Sequence, residues 1–214
     1  MEDVRRFYES VDFERMITEP PRLIAECIAR ENGIIREFSA SFGDVLEVGC
    51  GSGRILRMLR SAGRIVGIDF CEAMVGRARA DCSGLGVEVC LMNADRLDFP
   101  DESFDTVLCL NHTMSNMPGI EQDVLREMYR VCRRSGRIMM SAYSERARDA
   151  QVENYLRLGL HIGKEDDNAV NVEEGLYSRR FSPREIRGLF RSVGLSCDIV
   201  SLNAISYFAV AKKR

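Results

Sequence analysis

Val45-Leu46-Glu47-Val48-Gly49-Cys50-Gly51-Ser52-Gly53-Arg54 runs from an apolar strand into three alternate glycines and on into a helix. Alternate glycines let the chain turn tightly and let a ligand approach main-chain atoms with no Cβ in the way. A tight strand-to-helix turn with no ligand produces the same pattern, so the context has to choose. Dinucleotide-binding turns use G-x-G-x-x-G, where the third glycine permits close helix packing. Here that position holds Arg54 and the third glycine comes one residue early, as Gly53, which weakens the phosphate-cradling reading.

Outward from this turn, short continuous apolar runs alternate with helical patterns. Segments 44–48, 64–68, 87–91, 106–110 and 137–141 read as buried parallel strands, because strands covered by helices on both faces need not alternate in polarity. An amphipathic helix over 23–38 precedes the first strand, and another over 121–134 places Val124, Leu125, Met128, Val131 and Cys132 on one face. Near the C-terminus Ser182 is the expected N-cap, Pro183 the first helical residue, Glu185 the partner in a capping box and Gly194 the stop. Segments 199–202 and 205–211 then close the sheet as an antiparallel pair around Asn203. The stretch from Tyr143 to Arg180 shows no clear strand, and an insertion of that length in a compact domain is usually functional or mobile.

The expected fold is α/β: a Rossmann-like, seven-stranded, mostly parallel sheet with the last strand antiparallel, helices on both faces and an N-terminal helical cap. All 214 residues form one domain in this reading: a cap over 1–40, a core over 41–142, an insertion over 143–180 and a closing helix and strands over 181–214. Hydrophobic residues at 45% and charged residues at 29% suit an ordinary globular chain. A net charge of −3 with mixed signs gives no general attraction to nucleic acid or anionic lipid. The eight cysteines lack C-x-x-C spacing and read as small core residues in a reducing compartment. MEDVRRFYES resembles neither a signal nor a transit peptide, and no apolar run is long enough to span a bilayer, so a cytoplasmic location is expected.

VLEVGCGSG resembles the first motif of class I S-adenosylmethionine-dependent methyltransferases, of the small-molecule type (methyltransferase domain 11/25-like). The resemblance continues through RIVGIDF with Asp69 at its end, Asn93-Ala94-Asp95, LDFPDESFDTVLCL, LREMYRVCRRSGRIMMS and FSPREIRGLFRSVGL, in matching order over residues 44–195. It implies S-adenosylmethionine as cofactor, S-adenosylhomocysteine as product and no metal. Gly49, Cys50, Gly51 and Gly53 would then line the methionine portion, with Glu47 directed towards its amino group. Asp69 would hold the ribose hydroxyls, Phe70 would lie against the adenine, Asn93, Ala94 and Asp95 would bound the adenine with Asp95 accepting from its amino group, and Asn111 would meet the methionine end. Plainer roles remain open at several positions: core packing for Phe70, a strand-end acid satisfied by backbone for Glu47, a solvated loop acid for Asp95.

His112 and Tyr8 are the candidate catalytic residues. A histidine after the fourth strand could take a proton from an attacking amine or hydroxyl or simply bind substrate, and Tyr8 lies in the segment that in related enzymes folds over the cofactor. Tyr143, Arg146, Tyr177, Arg179 and Arg180 flank the insertion and are the candidate substrate contacts. From Ser144 to Arg180 six basic residues face eight acids, Glu165 among them, a balance that disfavours a polyanion. The acceptor is therefore expected to be a small molecule, with neither nucleic acid nor membrane as partner and the chain a monomer or homodimer. Competing readings are a cofactor-binding subunit without catalysis, a methyltransferase acting on protein or RNA, and, disfavoured by Arg54, a dinucleotide oxidoreductase.

Overall fold

A computed structural model describes residues 7, 8, 11, 13–59, 63–164 and 166–214. Glu165 and the rest of the N-terminal segment lie outside the described residues. Seven strands form one sheet: β1 (Val45–Val48), β2 (Ile65–Asp69), β3 (Val87–Leu91), β4 (Phe104–Cys109), β5 (Cys132–Tyr143), β8 (Cys197–Asn203) and β9 (Ser206–Lys212). Their order is β3-β2-β1-β4-β5-β9-β8, and β9 alone runs antiparallel to its neighbours. The strand order reverses between β1 and β4, and in open sheets of this kind ligands bind at the carboxyl ends of the strands at such a switch point.

Both faces of the central strands are covered, as their continuous apolar runs require; β3, expected to be buried, lies at the sheet edge and buries only Val89, with Leu91 exposed. Val124, Leu125 and Met128 of α4 (Glu121–Val131), with Ile186 and Phe190 of α6 (Pro183–Ser192), pack on Leu46, Val48, Val66 and Ile68. On the opposite face, Ile35 of α2 (Arg22–Phe38) and Val75 and Ala78 of α3 (Glu72–Asp81) pack on Val45, Ile65 and Leu108. The α6 capping box forms as expected: Ser182 N donates to Glu185 Oε2 at 2.8 Å and Glu185 N donates to Ser182 Oγ at 3.3 Å, an arrangement worth about 1 kcal/mol. All eight cysteines are free, and six are buried.

The structure differs from the sequence reading in three further places. The glycine turn does not open directly into an α-helix: Gly49, Gly51 and Gly53 all have left-handed φ (71°, 52° and 82°), and only a 3-10 turn, Leu56–Met58, follows within the described residues. The helix after β4 ends at Val131 rather than Arg134, because Cys132 is already extended and pairs with Phe104, while Ser135 turns the chain at φ 63°. The insertion holds a helix, α5 (Arg148–Arg157), and a separate hairpin of β6 (Ala169–Asn171) and β7 (Tyr177–Arg179). Three-residue strands are too short to show an alternating pattern in sequence.

Phe7 and Val11 pack with Tyr155, Leu160, Val170, Val172 and Leu176, so the N-terminal segment and the insertion share a small apolar cluster. A further cluster of Ile24, Cys27, Tyr143, Ala147, Ala150 and Ile205 joins α2 to the same region. A short helix, α1 (Phe13–Thr18), precedes α2. No helix among the described residues is long and apolar enough to cross a membrane.

Candidate active site

Three adjoining cavities make one cleft across the carboxyl ends of β1, β2 and β4, with Gly49 and Asn116 lining all three. At one end is a mainly apolar slot between Ile68, Phe70, Met92, Ala94, Met117 and Ile120, with Asn93 and Asp95 at its rim. The middle is bounded by Gly51, Asp69, Thr113 and Tyr8. The other end, about 740 Å3 of space partly open to solvent, extends from Glu47 and the glycine turn to Tyr143 and Tyr155.

The turn itself is tightly built. A Cβ on Gly49 would stand 2.3 Å from Thr113 Cγ2, and one on Gly53 would stand 2.9 Å from Sγ of Cys82, just past the C-terminal end of α3. The first and third glycines thus serve close packing of protein on protein. Gly51 N donates to Asp69 Oδ2 and Cys71 N to Asp69 Oδ1, both at 2.9 Å, so Asp69 clasps the turn to the end of β2. An ionised carboxylate has about four acceptor sites, and Asp69 retains capacity for a ligand hydroxyl in the cleft.

Glu47 sits on the inner face of β1, only 4% exposed, and its Oε2 has no hydrogen-bond partner. Burial pushes its carboxyl well above the usual range, opposed by the nearby Arg54 guanidinium. A buried, unmatched acceptor is costly, and a ligand cation beside it would remove that cost. The donor set therefore suits a compound with an amino group at Glu47, hydroxyls at Asp69 and a flat apolar ring in the slot beside Asp95. This matches the amino acid, ribose and adenine of S-adenosylmethionine.

At the end of β4, Asn111 and His112 are consecutive non-glycine residues in the left-handed region (φ 54° and 60°), a strained arrangement that needs support. Glu31 of α2, 2% exposed, supplies it: Oε2 accepts from Asn111 N at 3.0 Å and from Ser141 Oγ at 2.6 Å, and Ser141 Oγ accepts from His112 N at 3.2 Å. Glu31 Oε1 pairs with Arg54 Nη2 at 3.0 Å, and Arg54 also bonds Asn32. Neither Glu31 nor Asn116 was among the residues expected at the site. Glu31 lies in the middle of an amphipathic helix, and only its burial distinguishes it from a surface acid.

His112 is fully enclosed. Its ring stacks on Tyr143 with centroids 3.8 Å apart and planes 6° from parallel, and Nε2 bonds Ser206 Oγ at 2.8 Å. Burial lowers its pKa to about 4, so it is neutral at neutral pH, oriented by Ser206 and holding the Tyr143 ring. The Tyr8 ring meets Phe70 edge-on at 6.1 Å, and its hydroxyl accepts from Asn116 Nδ2 at 3.2 Å, with burial raising its pKa strongly. Asn116 Oδ1 is the second buried side-chain atom of the cleft without a partner.

The structure brings Glu47, Gly49, Cys50, Gly51, Asp69, Phe70, Asn93, Ala94, Asp95, Asn111, His112, Tyr8 and Tyr143 to the cleft. Gly53 backs the turn instead, against α3. The other substrate candidates are placed elsewhere. Arg179 pairs with Glu121 and Glu185 at 2.8 and 2.9 Å over the Phe181 ring. Arg180 is buried against Gln151 Oε1 and the Asp166 and Asp167 carbonyls, the Tyr177 hydroxyl donates to Asp166, and Arg146 is exposed. Tyr177, Arg179 and Arg180 stiffen the insertion, because its hairpin turns their side chains towards α4, α5 and the 166–168 loop, while Arg146 lies outside the hairpin. No group of three or more His, Cys, Asp or Glu among the described residues is arranged to hold a metal ion.

Residues 45–136 match the family model described as a methyltransferase domain. The chain is 41% identical over 106 residues to phosphatidylethanolamine N-methyltransferase of Cereibacter sphaeroides, covering 48% of this chain and 51% of that protein. It thus spans about half the length of this curated relative. The solved complex of DhpI with SAH superposes with a TM-score of 0.74 at 18% identity, covering 99% of this chain and 96% of that one. The 1,6-didemethyltoxoflavin-N1-methyltransferase of Burkholderia thailandensis, solved with its substrate and S-adenosylhomocysteine, gives a TM-score of 0.68 at 17% identity, covering 99% and 89%.

Proposed function

On the match of residues 45–136 to a methyltransferase domain, we propose that the chain is a class I S-adenosylmethionine-dependent methyltransferase that transfers a methyl group from S-adenosylmethionine to a small-molecule acceptor. The observation that carries this reading is the unpartnered, buried Glu47 oxygen beside the Gly49-to-Gly53 turn, in one cleft with Asp69 and an apolar slot. The two small-molecule methyltransferase relatives support the acceptor class.

When bound, the cofactor supplies a methyl group already activated on a sulfonium. The protein's task is to hold donor and acceptor in line at near-attack distance and to keep water out. Glu47 would accept from the cofactor's amino group, Asp69 from the ribose hydroxyls and Asp95 from the adenine amino group, with Phe70 against the ring. The strained Asn111-His112 backbone, held by Glu31 and Ser141, fixes the wall facing the methionine end. His112, neutral and bonded to Ser206, orients Tyr143 and is a weak base. The site therefore favours an acceptor that arrives as a nucleophile over one that must be deprotonated.

In this reading the reaction needs no metal and the protein acts in the cytoplasm, as monomer or homodimer, away from nucleic acid and membrane. One domain does the work, with residues 1–40 capping it and 143–180 covering the acceptor. Calorimetric titration with S-adenosylhomocysteine and with a nicotinamide dinucleotide tests the core of the proposal. Binding of the former alone is expected, with S-adenosylhomocysteine released in EDTA when an acceptor panel is supplied. Binding of the dinucleotide alone would overturn it.

A further inference from the structure

Two buried side-chain oxygens lack a hydrogen-bond partner among the described residues, Glu47 Oε2 and Asn116 Oδ1. The cofactor's amino group answers the first. Asn116 closes the 3-10 turn Thr113–Asn116 that follows β4, and it lines all three parts of the cleft. Its Nδ2 donates to the Tyr8 hydroxyl at 3.2 Å, which fixes the amide and leaves the carbonyl oxygen as the unmatched side. Buried acceptors in native proteins are almost always matched, so this one points to a donor on a ligand.

Asp69, which bounds the same middle cavity, is nearly full. Gly51 N and Cys71 N donate to it at 2.9 Å each, and the Phe70 main-chain amide also stabilises its charge. An ionised carboxylate has about four acceptor sites, so these three main-chain donors leave room for roughly one more. A ribose brings two hydroxyl hydrogens. The second needs another acceptor, and few side chains around the middle can supply one. Phe70, Met74 and Met117 have no strong acceptor, and the Tyr8 and Thr113 hydroxyls are already bonded, to Asn116 and to the Leu110 carbonyl. Asn116 Oδ1 is the side-chain oxygen there that is both buried and idle.

We propose that Asn116 is a cofactor-binding residue that takes one ribose hydroxyl through Oδ1 while Asp69 takes the other. This narrows the role of Asp69 within the methyl-transfer reading and rests on that reading. Asp69 ends β2 and Asn116 follows β4, with β1 between those strands, so the ribose would bridge the two sides of the switch point. Specificity follows: a deoxy sugar leaves one of the two acceptors without its donor.

The test is a double-mutant cycle between protein and ligand, read by calorimetry on the full chain with S-adenosylhomocysteine and its 2′-deoxy and 3′-deoxy analogues. The wild type is expected to bind each deoxy analogue about three- to tenfold more weakly than the parent compound. In Asn116→Ala the parent is expected to weaken by a similar factor, and the penalty for deleting one of the two hydroxyls is expected to vanish while the penalty for the other remains. A merely structural role for Asn116 would weaken all three ligands alike and keep both penalties, which would overturn the proposal. Unchanged affinity for the parent in the variant would overturn it too. Asn116→Leu fills the space of the amide without an acceptor and makes the same measurement if Asn116→Ala folds poorly. Absence of S-adenosylhomocysteine binding by the wild type would instead bring down the methyl-transfer reading, and this inference with it.

Discussion

Replacing Glu47 with glutamine keeps the shape of the side chain and removes only its capacity for charge. In the free protein the carboxyl is buried, one oxygen is unmatched and its pKa is pushed well above normal, so it holds a proton at pH values where a surface glutamate is ionised. Pairing with a cofactor ammonium reverses this, which means that binding must release a proton. A charge-assisted hydrogen bond contributes about 1.5–3 kcal/mol, and with 1.4 kcal/mol per tenfold the Gln variant should bind S-adenosylhomocysteine roughly 10- to 150-fold more weakly. The sign of the pH dependence follows. Wild-type affinity rises with pH up to the raised free-state pKa, while that of the variant stays flat, so the gap between them closes as pH falls. Calorimetry in buffers of different ionisation enthalpy measures both the affinity and the released proton. The variant should melt no lower than wild type, since it no longer buries an ionisable carboxyl. Equal affinities across this range, or no proton release by the wild type, would refute the assignment of Glu47 to the amino group.

Other expectations follow from the same geometry. Gly49→Ala places a methyl group 2.3 Å from Thr113 Cγ2 at a left-handed φ, and should cost about 2–4 kcal/mol in urea unfolding, partly restored by Thr113→Ser, which removes that methyl. His112, with a folded-state pKa of about 4 against an ordinary 6.5, binds fewer protons folded than unfolded. Its contribution is complete above pH 6.5 and is lost as pH falls towards 4, about 3 kcal/mol in all, so His112→Asn should flatten the acid limb of the stability curve measured by urea unfolding. Glu31→Gln should leave Asn111 and Ser141 with weaker partners and unpair Arg54. An expected threefold or greater loss of cofactor affinity with the fold retained would be absent if Glu31 only caps the helix packing.

Much of the fold is legible because it is built from local, repeating signals. Continuous apolar runs of four to six residues mark buried parallel strands, and the Ser182-Pro183-Glu185 cap and Gly194 stop mark one helix by their hydrogen-bonding chemistry alone. The three alternate glycines and the acids that follow them at fixed intervals place the glycine-turn end of the cleft for the same reason. Each sits at or shortly after the end of a strand, and strand ends are set by short-range pattern. Segments whose regular structure depends on distant partners are not legible. The β6–β7 hairpin has three residues a side and packs with Phe7 from the other end of the chain, so nothing local announces it.

The side chains around the far end of the cleft belong to this second kind. Arg179 and Arg180 look like candidate contacts in sequence because they are basic and near the insertion, yet the folded chain commits them to Glu121, Glu185 and Gln151. Glu31 looks like an ordinary polar position on a helix surface, and it becomes a clamp on the β4 turn only when α2 docks. By itself the sequence determined the strand-and-helix order, the glycine turn and the acids that follow it, since these follow from periodicity and backbone conformation over neighbouring residues. Only the tertiary structure decided which charges are spent, which polar atoms are left unmatched and therefore what the pocket can recognise, because burial and hydrogen-bond pairing are properties of groups brought together from distant parts of the chain.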